Sequence, residues 1–132
     1  MAMTPQELMD NFSYLIRWED KYRYLIEIGE RLRDFPEADK IDANQVLGCQ
    51  AQVWITHRME GDKHYFSATS DSHIVRGLEA ILLTFVNGKT SSEIQALDMM
   101  AVFKKLGLEE HLSPSRRNGF VAMSNRIFSL TY

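Results

Sequence analysis

Two runs of β-forming residues, Gln52–Arg58 and His64–Thr69, flank the turn signal Glu60-Gly61-Asp62. A hairpin is the expected product. The rest of the 132 residues shows helical spacing or loop chemistry. One hairpin in a helical chain leaves few options, because an isolated two-stranded ribbon is marginal in water and needs helices against its apolar face. Val46-Leu47 offers a short third strand just upstream. The expected fold class is α+β: two helices, a small antiparallel sheet of about three strands, then four helices.

Local signals place those helices. Thr4-Pro5-Gln6-Glu7 is a capping box with proline in the first turn, leading to Leu8, Phe12 and Leu15 at helical spacing. A second helix is predicted over Trp18–Leu32, with Trp18, Tyr22, Leu25, Ile28 and Leu32 on one face, and Pro36 follows its end. Ser70-Asp71-Ser72 supplies N-caps for a helix carrying Ile74, Val75, Leu78, Ile81, Leu82 and Phe85, closed by Asn87-Gly88. Thr90-Ser91-Ser92-Glu93 is another capping box, Asp98 starts Met99–Leu106 before Gly107, and Ser113-Pro114 opens the last helix. With no repeat or linker, residues 1–132 are expected to form one domain around one core.

Composition narrows function. Hydrophobic residues make up 45% of the chain and charged ones 25%, enough for a core without disulfides or a structural metal. The net charge is −3 with the signs interspersed, and Arg116-Arg117 beside Lys104-Lys105 is only a local patch, so nucleic acid is not an expected partner. No apolar run approaches the ~20 residues of a bilayer span, and Met1–Asp10 lacks the pattern of a signal peptide. No membrane association is expected, and one cysteine suits a reducing cytoplasm.

That cysteine, Cys49, lies in Val46-Leu47-Gly48-Cys49-Gln50-Ala51-Gln52, between short extended segments. Gly48 permits a tight turn or a close approach by another chain, and loops are where working groups concentrate. A lone cysteine is also an ordinary small hydrophobe. On the residues alone, a packed thiol and a working thiol fit equally well. Histidines 57, 64, 73 and 111 are scattered without metal-ligand spacing, so no metal is expected, and His57 with His64 reads as an exposed pair across the hairpin. A cysteine hydrolase would draw its base from His111 or His73 and its orienting group from Asp71 or Asn118. No phosphate loop or dinucleotide fingerprint occurs, so no cofactor is expected. Arg116 and Arg117 stand in a first helical turn, against the macrodipole, which hints at an anion or a partner.

Four segments in register resemble the SufE family of sulfur-acceptor proteins: Trp18-Glu19 with Lys21-Tyr22; Gly48-Cys49-Gln50-Ala51-Gln52-Val53-Trp54-Ile55; Ser70-Asp71-Ser72 leading to Ile74-Val75-Arg76-Gly77-Leu78; and His111-Leu112-Ser113-Pro114-Ser115-Arg116 with Asn118-Gly119. The resemblance implies a fold shared with iron–sulfur scaffold proteins of the NifU/IscU type. It implies that Cys49 accepts sulfur from a pyridoxal-phosphate cysteine desulfurase, stimulates that enzyme, and passes the sulfur to iron–sulfur cluster assembly or another acceptor. The chain would then be a carrier and activator and not an enzyme. The family's cysteine loop is tucked into an apolar cavity at rest and moves outward on docking. By match to the motifs, Gly48 and Gln50 flank the thiol, Arg116 is the candidate cation beside it, and Asp71 the candidate contact to the loop. Ala51 departs from the serine many relatives carry. The Cys49 segment is closer to the SufE type, whereas Trp18–Arg23 and Ile74–Thr90 lean to the paralogous CsdE type.

Overall fold

The structure is a computed structural model that describes residues 3–131; Met1, Ala2 and Tyr132, the ends of the predicted 1–132 domain, lie outside the described residues. Helices α1 (Pro5–Ser13) and α2 (Trp18–Glu30) come first, and two 3₁₀ turns, Glu37–Asp39 and Asp42–Asn44, carry the chain to the hairpin β1 (Val53–Glu60) and β2 (Lys63–Ser70). Helix α3 (His73–Val86), strand β3 (Lys89–Thr90), α4 (Ser91–Gln95), α5 (Met99–Lys105) and α6 (Pro114–Ser129) complete an α+β fold. Thr4 and Thr90 each close a reciprocal capping box, and Ser72, Asp98 and Ser113 cap α3, α5 and α6 through their side chains.

The sheet order is β1-β2-β3, all antiparallel. In β2, His64, Phe66, Ala68 and Ser70 point inward, the period of two that a half-covered sheet requires. The hairpin turns at Gly61, whose φ of +61° is open to glycine without strain. The third strand is not the one expected. Val46-Leu47 contributes only an isolated bridge, Gln45 to Trp54, with the Val46 amide donating to the Val53 carbonyl at 2.8 Å. After that contact the chain turns away, leaving Leu47 82% exposed. Lys89-Thr90 pairs with β2 instead, because Asn87 clamps both the amide and the carbonyl of Phe66 through its side chain and steers the chain back along the strand.

Helix α3 is the axis of the core. Nearly every residue from Ile74 to Val86 is buried, including Ile81 and Val86 at 0% exposure. It meets α2 backbone to backbone: a Cβ on Gly77 would fall 2.3 Å from the Leu25 carbonyl oxygen, and one on Gly29 would fall 2.7 Å from the Gly77 amide nitrogen. Glycine at both crossing positions lets two helices approach closer than side chains allow. The Cys49 segment lies beside the start of α3, at Ser72 and Val75.

His57 and His64 do not form an exposed pair. Positions 53, 55 and 57 of β1 share the inward face with 64, 66 and 68 of β2, so the register carries the rings inward together. His64 is 3% exposed. Its Nδ1 lies 2.7 Å from His57 Nε2, and its Nε2 lies 2.7 Å from Ser91 Oγ, so both ring nitrogens are satisfied. Burial, and then the neighbouring His64, push the His57 ring below its ordinary acidity value.

Candidate functional site

Cys49 sits half-buried at the tip of a five-residue segment tied down at both ends. On one side is the Val46–Val53 hydrogen bond. On the other, the Gln52 amide donates to the Asp71 carboxylate at 3.0 Å, and the Asp71 amide donates back to the Gln52 carbonyl at 3.3 Å. Gly48 makes the intervening turn with φ +93°, a conformation that L side chains resist. The turn directs the Cys49 thiol onto α6, where it donates to the Gly119 carbonyl at 3.6 Å. The sulfur packs close to the α6 backbone here: a Cβ at position 119 would stand 3.5 Å from Sγ, in ordinary van der Waals contact.

A cavity of about 300 Å³ surrounds the thiol, lined by Cys49, Gln50, Ala51, Ser72, Val75, Ser113, Ser115, Arg116 and Gly119. Three segments remote in sequence thus converge on one sulfur atom. Two helices begin here, α3 capped by Ser72 and α6 capped by Ser113, and both present their partially positive ends. Arg116 joins them from the first turn of α6, and neither it nor Arg117 makes an ion pair among the described residues. This corner of the protein is prepared for negative charge.

The seated thiol nevertheless resists ionisation. Burial first, and then the charge of Glu79, push its acidity above the ordinary cysteine value. Arg116 lines the cavity without reversing that balance. Cys49, Gln50 and Arg116 therefore share the cleft, Gly48 shapes the turn into it, and Asp71 acts from outside by holding Gln52.

No histidine lines the cavity. His111 is stacked on Trp18 with ring centroids 4.8 Å apart, His73 is exposed at the start of α3, and the other two are engaged in the sheet. The base and orienting group of a cysteine hydrolase are not assembled here. What is assembled is a half-buried thiol in a cleft bordered by two helix starts and Arg116.

Sequence patterns missed Ser72 and Ser113 as cavity residues, since their capping roles already account for them. They also missed Glu79, whose signal was an acid at i+4 from Val75 in the most apolar helix of the chain.

Residues 6–131 match the family model SufE, the Fe-S metabolism associated domain. The chain belongs to the SufE family. Among its relatives is an uncharacterized SufE-like protein of Rhizobium meliloti (strain 1021), 45% identical over 127 residues and covering 93% of this chain and 91% of the relative. The sulfur acceptor protein CsdE of Escherichia coli (strain K12) is 42% identical over 131 residues, covering 98% and 89% of the two chains. The solution structure of a hypothetical protein from Thermus thermophilus superposes with a TM-score of 0.77 at 19% identity, covering 98% of this chain and 96% of the other, and it establishes the shared fold. Membership places the chain in a family associated with iron–sulfur metabolism. No helix among the described residues is long and apolar enough to cross a membrane.

Proposed function

We propose that this protein carries sulfur on Cys49 between a pyridoxal-phosphate cysteine desulfurase and a later acceptor, and stimulates the desulfurase by removing its product. The observation that carries this reading is the seating of Cys49. Its thiol lies half-buried in a cleft with a backbone carbonyl as hydrogen-bond partner and no imidazole at hand, on a segment pinned at both ends. Such a thiol is poorly placed for hydrolysis and well placed for storage.

The chemistry is thiolate exchange. The Cys49 thiolate attacks the terminal sulfur of the persulfide on the desulfurase, the sulfur–sulfur bond there breaks, and the desulfurase thiolate leaves with the electron pair. Cys49 then bears the persulfide, and the next acceptor thiolate repeats the exchange. Neither step needs an external oxidant. Persulfides are easily reduced or oxidised, which gives the cleft its purpose between steps. Arg116 and the starts of α3 and α6 stabilise negative charge at the cleft mouth as it develops. Asp71 sets the closing end of the loop. The setting is the cytoplasm, where a lone thiol stays reduced.

The test is intact-mass analysis after incubation with free cysteine and a desulfurase from the same genome. The mass of one added sulfur on the wild-type chain, absent from Cys49→Ser, is expected. Failure to gain sulfur from any desulfurase of that genome would overturn the proposal.

A further inference from the structure

The sulfur-carrier chemistry makes no use of Arg126, yet the fold places its side chain at some cost. It stands in the last turn of α6, where a cation suits the helix dipole from the surface. Its stem is instead sunk so that Nε is buried without a hydrogen-bond partner, and it makes no ion pair among the described residues. The head crosses to another part of the chain, where Nη2 donates to the Ala43 carbonyl at 2.7 Å. Two further contacts lie on the same helix face. A Cβ on Gly48 would stand 3.4 Å from the Ala122 Cβ, and the Cys49 thiol donates to the Gly119 carbonyl at 3.6 Å. Positions 119, 122 and 126 follow the i, i+3, i+7 spacing of one helical stripe. The chain from Ala43 to Cys49 thus runs along this stripe, antiparallel to α6, with Arg126 at its far end. Between those ends lies the isolated Gln45–Trp54 bridge, with the Val46 amide bonded to the Val53 carbonyl at 2.8 Å. A lone bridge without ladder neighbours is easily lost by local opening.

We propose that Arg126 is a positioning residue for Cys49, clamping the arm ahead of the thiol against α6 and so fixing the point from which the cysteine loop pivots. The proposal rests on Cys49 being the sulfur-bearing group. It goes further by assigning the control of that group's reach to a residue that touches neither the sulfur nor the cleft wall. The clamp and the bridge hold one short segment, residues 43–46, which leaves the sheet only by giving up the guanidinium bond as well. With the clamp made, Val46 stays the upstream anchor and the loop stays short. Without it the bridge frays and the anchor retreats toward the 3₁₀ turn Asp42–Asn44. Each residue freed adds about 3.5 Å of reach. The sulfur is then sheltered for less of the time between exchanges.

The test uses the whole isolated chain, with no partner. Two rates are followed for wild type, Arg126→Met, Arg126→Gln and Arg126→Lys: hydrogen exchange of the Val46 amide by NMR, and alkylation of Cys49 by iodoacetamide read by mass. Methionine keeps an unbranched apolar stem and removes the donor. Both rates should quicken in Arg126→Met by on the order of fivefold, the low end for a hydrogen bond from a charged donor because the side chain is only half-buried. Arg126→Lys keeps a cationic donor on a stem of similar length and should recover most of the protection. Amides paired between β1 and β2 should keep their rates. A purely structural Arg126 would lower the melting temperature and quicken those hairpin amides together with Val46, and that result overturns the proposal. So do unchanged Val46 and Cys49 rates in folded Arg126→Met, or in folded Arg126→Gln should the first fail to fold. Sulfur loading of the wild-type chain by a desulfurase is read separately. Quickened rates without loading would overturn the carrier function and leave the clamp standing, whereas loading with unchanged rates would overturn the clamp alone.

Discussion

Replacing Glu79 by leucine should make this protein more stable, by an amount that grows with pH. The carboxyl is pushed up to about 9 in the fold by burial, with Arg76 opposing, against an ordinary value of 4.5. Between those two values the folded chain keeps a proton that the unfolded chain releases. Stability therefore falls as pH rises through the window, at about 1.4 kcal/mol per pH unit. Below about pH 4.5 both states are protonated and the penalty vanishes. At pH 7, about 2.5 units into the window, the accumulated penalty is on the order of 3 kcal/mol. For a protein whose total stability is about 5–15 kcal/mol, that is a large share. Leucine removes the titration and fills the same space with apolar atoms. Urea unfolding at about pH 5, 7 and 8.5 should show the two curves close together at the lowest pH and diverging upward, with the m-value unchanged. Glu79→Gln should lose the same pH dependence, offset by the cost of burying an amide. If Glu79→Leu keeps the wild-type slope, or is the less stable protein at pH 8.5, the carboxyl is not held neutral in the fold and the reasoning fails.

Gly77→Ala should destabilise by about 2–3 kcal/mol despite a helix-propensity gain near 1 kcal/mol, because its Cβ meets the Leu25 carbonyl oxygen at 2.3 Å and the backbone there cannot yield; thermal unfolding reads the loss. Asp71→Ala removes the acceptor of the Gln52 amide, worth about 1 kcal/mol, so hydrogen exchange at Gln52 and alkylation of Cys49 should both quicken roughly fivefold. His57 is held below its ordinary value by burial and His64, so the stability it contributes is present above about pH 6.5 and lost as pH falls through its lowered value. His57→Gln should flatten that acid limb in urea titrations, and an unchanged limb would place the titration on another group.

Helix starts were legible because capping is local chemistry: Thr4 with Glu7, and Thr90 with Glu93, carry their partners within three residues. The hairpin was legible for a similar reason, since Gly61 and the flanking β-formers lie together. The third strand was not. Lys89-Thr90 has no β signature of its own and is recruited by Asn87 reaching back to Phe66. Val46-Leu47 has that signature but is drawn off after one bridge. Around Cys49, the segments could be matched to a family, but their convergence could not be read from spacing. Residues 49–51, 72–75 and 113–119 meet only because α3 and α6 begin at the same corner. Burial of α3 on nearly all sides hid Glu79, since a helix with one wet face would have carried that acid into solvent.

The two ties on the Cys49 segment fix a radius of action. With Val46 held to Val53 and Gln52 held to Asp71, Cys49 is three residues from either anchor. Fully extended, three residues reach about 10 Å. Sulfur exchange is therefore a short-range event, in which the partner brings its reactive atom to a leash of known length. A residue inserted between Val46 and Cys49 would let that arm out by about 3.5 Å. The arm from Gln52 keeps its length, so the shorter tether still limits how far the sulfur can travel.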